Sequence, residues 1–174
     1  MRRWNWIVAL CVLTLVACEY RRETFPESGP MTPERAAAVE RDVRTYAATV
    51  AHDVTQDGPA AWHKHLSDAP SFFLASDGQL AFPSGAAAMA AIPNLEQAIK
   101  HIELQWGPEV RVDPLTPELA VLAAPWHEVR TMADGQVLDQ RGYFTAIAEY
   151  KDGRWQLRNC HWSVLHPEAK SAGQ

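Results

Sequence analysis

Apolar residues between positions 36 and 54 recur at the spacing of one helix face. The stripe consists of Ala36, Val39, Val43, Tyr46, Val50 and Val54. Thr32 supplies a capping hydroxyl and Pro33 a proline at the first helical position, so a helix is predicted from there to about Gly58.

Two further helices are indicated by the same criteria. Pro59 opens a short one that ends near Leu66, and an alanine-rich stretch runs from Ser84 to about Lys100. Because proline lacks the backbone N–H of a helix interior, the second of these is expected to be interrupted at Pro93.

The rest of the chain has the pattern of β-structure. Residues 71–83 form a predicted hairpin around the Asp77-Gly78 pair, since Asp-Gly between strands is a strong turn signal. Four strands are then predicted at 101–113, 118–133, 136–151 and 154–165.

Two Asp-Gly pairs predict the register of the last three strands. A two-residue turn at Asp134-Gly135 places Glu128 opposite Arg141 and Arg130 opposite Asp139, which makes two opposite-charge pairs.

A second two-residue turn at Asp152-Gly153 places Tyr150 opposite Trp155 and Phe144 opposite His161.

This register predicts two faces, because successive side chains of a strand alternate. The predicted inner face is mostly apolar, with His127, Asn159, His161 and Ser163 towards one end. The predicted outer face carries most of the charges, Glu128, Arg130 and Glu149 included. The expected fold class is therefore α+β, an antiparallel sheet with helices on one face.

The N-terminus has the pattern of a targeting signal. Arg2 and Arg3 precede an uncharged apolar run, residues 7–17, which is shorter than the ~20 residues of a membrane-spanning helix. The run ends in Leu15-Val16-Ala17-Cys18, which resembles a bacterial lipobox. That resemblance implies acylation of Cys18 and cleavage before it. An ordinary secretory signal and an uncleaved anchor are the alternatives.

The expected organisation is a signal peptide over residues 1–17, a polar tether over 18–31, one domain over 32–166 and a tail over 167–174. Glu19 follows Cys18 where an Asp would resemble an inner-membrane retention signal, so the periplasmic face of the outer membrane is the expected location. The lipid bilayer is then a partner through Cys18. The net charge of −5, without a basic stripe, argues against nucleic-acid binding.

The order of elements and the closing strands support a family resemblance. The segments are Gly142-Tyr143-Phe144-Thr145, Asp152-Gly153-Arg154-Trp155 and His161-Trp162-Ser163. Together with the order helix, helix, hairpin, helix and long strands, they resemble the nuclear transport factor 2-like (SnoaL-like) superfamily. The resemblance implies a curved sheet wrapped around the N-terminal helices, a cone-shaped α+β barrel. That superfamily includes isomerases, dehydratases and cyclases as well as binding domains without activity, so the fold does not decide the function.

A ligand pocket is expected where polar residues and small residues share the predicted inner face. Its predicted lining is His161, Asn159, Phe144, Ser163 and His127 on the strands, closed by Tyr46 or Trp62 from the helices. The ligand would be a small apolar molecule, with no cofactor. The same groups could instead be structural, bonding to one another or to the backbone.

Catalysis is the alternative function, with His161 as the general base of an isomerase or cyclase. An acidic base of the steroid-isomerase type is not expected on the strands, and Asp42 or Asp53 would have to supply it. No metal site is expected, because His63 and His65 are two residues apart on a helix and point in different directions.

The predicted outer face also carries an aromatic row, Trp126, Tyr143 and Trp162. An apolar patch of this kind suggests an interface, either in a homodimer or with a partner protein of the cell envelope. A purely structural accessory role is therefore a third possible function.

Overall fold

Residues 30–165 are described here by a computed structural model. The signal peptide, Cys18, nearly all of the tether and the tail lie outside these residues. Within residues 30–165, no helix is long and apolar enough to span a membrane.

The first helix, α1, runs from Pro33 to Asp57 and begins as the sequence predicts. The Thr32 hydroxyl accepts a hydrogen bond from the backbone N–H of Arg35 at 3.3 Å. The helix buries the expected stripe, with the valines at 39, 43, 50 and 54 each at most 3 % exposed. A 3-10 turn, Gly58–Ala61, and the short helix α2, Trp62–His65, follow it.

Helix α3 spans Gly85–Ala98 without interruption, so the expected break at Pro93 is wrong. Its first turn is capped by the Ser84 hydroxyl, which accepts from the N–H of Ala87 at 3.2 Å. Ile92 is buried and Leu95 packs against the core, so packing on both sides of Pro93 offsets its missing hydrogen bond.

The strands described in the structure form one sheet of seven. They are β1 Phe73–Ser76, β2 Gln79–Phe82, β3 Ile99–Trp106, β4 Arg111–Thr116, β5 Leu119–Met132, β6 Val137–Lys151 and β7 Arg154–Val164. Their order is β2-β1-β7-β6-β5-β3, with β4 also paired to β5. All pairs are antiparallel except β1 with β7, which is parallel. The sheet is therefore mixed, and the α+β class is confirmed.

The strand predicted over 101–113 is two strands that share one neighbour. Trp106 at the end of β3 pairs with Trp126 of β5, and Arg111 at the start of β4 pairs with Ala123 of the same strand. Between them, the N–H of Gly107 donates to the carbonyl of Pro125 at 2.8 Å. Pro125 has no backbone N–H to donate to a neighbouring strand, and the pairing of β5 with β3 and β4 is interrupted there.

The predicted register of β5 and β6 is wrong by one residue. Glu128 pairs with Gln140, not Arg141, and Val129 pairs with Asp139. The reason is the turn, which has three residues rather than two. The N–H of Met132 donates to the carbonyl of Gln136, and Gly135 alone has a positive φ, 90°. This is the three-residue loop with a glycine in the left-handed region.

The predicted register of β6 and β7 is correct near the turn and wrong beyond it. Tyr150 pairs with Trp155 as expected, because both Asp152 and Gly153 have the positive φ of a two-residue turn. The register then shifts between Ile147 and Ala148, so Phe144 pairs with Trp162 instead of His161. The extra residue is in β7, where a bulge changes the face of everything that follows.

These two shifts exchange the faces of β5 and of the end of β7. The even-numbered residues of β5 from Ala120 to Trp126 are buried, and so are the inner residues of β6. On β7, burial passes from Leu157 to Cys160 across the bulge. The core therefore lies between this inner face and α1.

Candidate functional site

The inner face of the sheet, α2, α3 and the β1–β2 hairpin line a partly open cavity of about 210 Å³. Its lining is mostly apolar and aromatic. The apolar residues are Trp62, Leu66, Leu74, Phe82, Ala88, Ile92, Leu95, Trp126, Leu157, Cys160, Trp162 and Val164, and the polar ones are Ser76, Glu128, Arg130 and Gln140. We call this space the interior cavity.

Tryptophan rings form one wall of the interior cavity. Trp162 contacts Trp62 edge to face, with ring centroids 6.2 Å apart, and Trp126 in the same way at 5.2 Å. Behind it, Trp162 stacks on Trp106 at 5.9 Å. Rings held in such mutual contact form a rigid apolar surface.

Three of the polar residues of the interior cavity, Glu128, Arg130 and Gln140, lie past the end of β7. The last pair of β7 joins Val164 to Gly142, and Gln140 and Glu128 follow two residues further along the β5–β6 hairpin. With no β7 beside them, their side chains border the cavity instead of packing under a strand.

An ion pair forms the polar end of the cavity. The Nε atom of Arg130 is 2.6 Å from Oε1 of Glu128, and a terminal guanidinium nitrogen of Arg130 donates to the side-chain oxygen of Gln140. The Nε–H of Arg130 is not aligned with the carboxylate and has no hydrogen-bond acceptor among the described residues. The contact between Arg130 and Glu128 is thus an ion pair without a hydrogen bond.

Burial dominates the electrostatics of this pair. The Glu128 side chain is 13 % exposed, and its desolvation raises the pKa of the carboxyl, although the Arg130 charge opposes the shift. Burial also raises the pKa of the Cys160 thiol, which keeps it in the unreactive protonated form.

Of the two helical residues predicted as alternatives to close the pocket, the structure places one at the cavity and the other in the core. Trp62 lines the interior cavity. Tyr46 belongs to the core, where its hydroxyl donates to the carbonyl of His65 at 3.1 Å. Phe144 is also in the core, fully buried against Trp162.

The four polar strand residues predicted for the pocket lie on the outer face, so that prediction is wrong. His161 is exposed and pairs with Thr145. His127 contacts the Asp139 carboxylate at 2.8 Å, and the Ser163 hydroxyl donates to the carbonyl of Tyr143 at 3.0 Å. Asn159 precedes the inward Cys160 and faces outward with them. The cause is the register of β5 and the bulge in β7 described above.

The predicted aromatic row is divided between the two faces. Trp126 is 5 % exposed and lines the interior cavity with Trp162, whereas Tyr143 is 41 % exposed on the outer face. An interface built on all three is therefore wrong. Self-association through the outer face stays a prediction.

Asp53 of α1 and the two histidines of α2 have structural partners. His65 is buried, its ring nitrogen lies 3.1 Å from the Asp53 carboxylate, and burial lowers its pKa against the effect of that carboxylate. His63 contacts the sulfur of Met89 instead. Among residues 30–165, no group of three or more His, Cys, Asp or Glu side chains could hold a metal ion.

The sequence reasoning missed Glu128, Arg130 and Gln140 as cavity residues. Trp126 could have indicated the correct register. The predicted register places Trp126 and Trp162 on the outer face, where exposing their large apolar area to water is unfavourable. Up to Trp126 both faces of β5 are apolar, so alternation alone could not decide between the registers.

No family model and no curated protein matches the chain. Solved structures do resemble it. A nuclear transport factor 2-like superfamily protein from Salmonella enterica superposes with a TM-score of 0.64 at 12% identity, covering 79% of this chain and 99% of that one. A conserved protein from Planctomyces limnophilus gives 0.59 at 20% identity, covering 74% and 98%.

A hexachlorocyclohexane dehydrochlorinase from Novosphingobium barchaimii superposes with a TM-score of 0.61 at 9% identity, covering 78% of this chain and 92% of that one. Identities this low establish the fold and nothing further. The chain has the α+β cone fold of nuclear transport factor 2-like proteins, as its closing strands predict.

Proposed function

We propose that the interior cavity binds a small, mostly apolar molecule, and that acylated Cys18 holds the domain at a membrane surface of the cell envelope. The observation that supports binding is the cavity itself, an aromatic-walled space with a few polar groups at one end. Ligand sites of proteins have this composition, because apolar walls supply affinity and a few polar groups supply orientation.

The size of the cavity limits the ligand. An engineered cavity of about 150 Å³ in another protein binds benzene. The interior cavity, at about 210 Å³, therefore suits a molecule with one ring and a short substituent, or two fused rings.

Binding is testable by fluorine NMR of the full-length protein labelled with fluorotryptophan and held in lipid nanodiscs. Adding para-ethylphenol should shift the resonances of Trp62, Trp126 and Trp162, which line the cavity. Trp155 packs on Tyr150 away from the cavity and serves as the internal reference.

A matched pair of helix variants controls for partition of the probe into lipid. Ala88 faces the cavity, and Ala88→Leu should abolish the shifts by filling it. Ala90 is exposed on the same helix, and Ala90→Leu should leave them intact. Equal shifts in both variants, or none in the wild type, would refute a ligand site in the cavity.

The lipid anchor rests on the sequence of residues 15–18 and has its own test. Cys18→Ser should abolish incorporation of an alkyne fatty acid and leave the uncleaved precursor in the membrane. Cys160→Ser, which changes the buried cysteine of the domain, should incorporate the label normally. Labelling of the Cys18 variant at the wild-type level would refute anchoring there.

A second function is favoured by Glu128. A carboxyl in an apolar cavity with a raised pKa is suited to proton transfer, the role that the sequence had assigned to His161. A proton-transfer enzyme would exchange the α-hydrogens of a small cyclic ketone into D2O, and Glu128→Gln would not. If the wild type exchanges the α-hydrogens of no ketone in a series faster than buffer alone does, proton transfer is refuted. Binding would then remain as the proposed function.

A further inference from the structure

The polar end of the interior cavity has hydrogen-bonding capacity that the protein does not use. No described residue donates a hydrogen bond to the Glu128 carboxylate, whose one close partner is the unaligned Nε of Arg130. The side-chain oxygen of Gln140 accepts from Arg130, but no described residue accepts from its amide nitrogen. The site therefore offers a strong acceptor next to a free donor.

The charges of this end cancel. Glu128 and Arg130 carry one charge of each sign and contact each other at 2.6 Å, and no other charged residue within 30–165 lines the cavity. A charged ligand would bring an unpaired charge into an apolar space, at a cost of several kcal/mol in typical proteins. An uncharged ligand leaves the balance intact.

A hydroxyl group fits these requirements, since it both donates and accepts one hydrogen bond in one small volume. An ether or ester only accepts, so it would displace water from the Glu128 carboxylate and leave that acceptor without a donor. Leaving a buried charged acceptor unsatisfied costs about 1–3 kcal/mol or more.

Taking the proposed ligand site as its basis, we propose that the ligand of the interior cavity is an uncharged alcohol or phenol. Its hydroxyl donates to the Glu128 carboxylate and accepts from the Gln140 amide, and its apolar body lies against Trp62 and Trp162.

The test compares para-ethylphenol with para-ethylanisole, its methyl ether, by the fluorine NMR titration described above. At equal free concentrations, the phenol should bind about tenfold more tightly than the more hydrophobic ether, the factor expected for one satisfied buried acceptor. Equal affinities, or tighter binding of the ether, would overturn the hydroxyl proposal and leave the ligand site standing. No binding of either compound would instead refute the proposed function.

Variants test whether Glu128 is responsible for the preference. The double variant Glu128→Leu/Arg130→Leu removes both charges together, so no unpaired charge is left, and the preference for the phenol should disappear. Glu149→Gln is the matched control, because Glu149 pairs with Arg158 at 3.1 Å outside the cavity lining, and it should keep the preference. If the double variant binds the phenol as selectively as the wild type, Glu128 does not recognise the hydroxyl. Should the double variant fail to fold, Glu128→Gln gives the same comparison, with a reduced preference expected.

Discussion

Among the described glycines, Gly142 has the least room for a side chain. A Cβ atom at this position would lie 1.7 Å from the carbonyl oxygen of Ser163 and 3.0 Å from the Trp126 ring. The missing side chain lets β6 and β7 stay paired while the indole of Trp126 lies across them. Glycine is needed here for space, since its φ is not in the left-handed region.

Gly142→Ala should therefore destabilise the domain by about 1–3 kcal/mol, the usual range for overpacking. Thr145→Ala, at an exposed position of the same strand, is the control and should change the unfolding free energy by less than about 0.5 kcal/mol. Urea unfolding of both variants measures the difference. A Gly142→Ala variant as stable as the control would show that the strands separate without cost.

Glu128 should make the stability of the wild type depend on pH in an unusual direction. Its folded pKa is raised above the ordinary 4.5, so the folded state binds the proton more tightly than the unfolded state. Stability then falls as pH rises through the window from about 4.5 to the higher folded pKa. Glu128→Gln lacks this titration, so the variant should gain stability relative to the wild type as pH rises above about 4.5.

Asp68 provides the opposite case in the same protein. Its hydrogen bond with Lys151 lowers the pKa below the ordinary 3.8, so its contribution is present above that value and is lost as pH falls. Asp68→Asn should thus gain stability relative to the wild type as pH falls, the reverse of Glu128→Gln. Urea unfolding across the pH range checks both, and the same sign for the two variants would contradict the assignment for Glu128.

At the scale of elements, the β5–β6 loop determines which residues reach the cavity. The N–H of Gly135 donates to the carbonyl of Met132, and the Asp134 side chain accepts from the N–H of Gln136 at 2.9 Å. One extra residue in this loop moves Glu128 from the outer face to the inner face.

Engineered disulfides distinguish the two registers of β5 and β6. Val129 and Asp139 are directly opposite in the structure, so Val129→Cys/Asp139→Cys should form a disulfide on oxidation. Arg130 and Asp139 would be opposite in a two-residue turn but lie on different faces here, so Arg130→Cys/Asp139→Cys should not cross-link. Mobility on a non-reducing gel gives the answer, and the reverse result would restore the two-residue turn.

The sequence predicted elements better than it predicted faces. The cap at Thr32 and the stripe of α1 were sufficient for that helix, because local hydrogen bonds and a helical period specify it. The strand registers depended on single residues in a turn and a bulge, which no local period encodes. Opposite charges were poor guides, because Glu128 pairs along its own strand with Arg130, not across to Arg141.

Which residues reach the candidate site depends on the face of the sheet or helix that each one occupies. Trp62 was predicted because it lies on a helix whose inner side is clear from the sequence. His161 and Asn159 were misplaced because the bulge in β7 cannot be recognised from the residues alone. The identity of the polar end therefore required the folded structure.

At the scale of the whole molecule, the interior cavity is volume that side chains of the core do not fill. Native cores are filled to a density of about 0.74. Ala47 of α1 is 1 % exposed and packs within the core, whereas Ala88 of α3 is 2 % exposed but borders the cavity. The two residues are matched in type, burial and helical context, and they differ in the space before them.

Replacing each alanine with leucine should therefore have opposite effects on stability. Ala88→Leu places new apolar atoms in existing space and should raise the unfolding free energy by about 0.5–2 kcal/mol, as cavity filling usually does. Ala47→Leu must displace its neighbours and should lower the free energy by about 1–3 kcal/mol. Urea unfolding of the full-length protein without added ligand measures both. If Ala88→Leu destabilises the protein as much as Ala47→Leu does, the cavity is not open space in solution. It would then offer no room for a ligand.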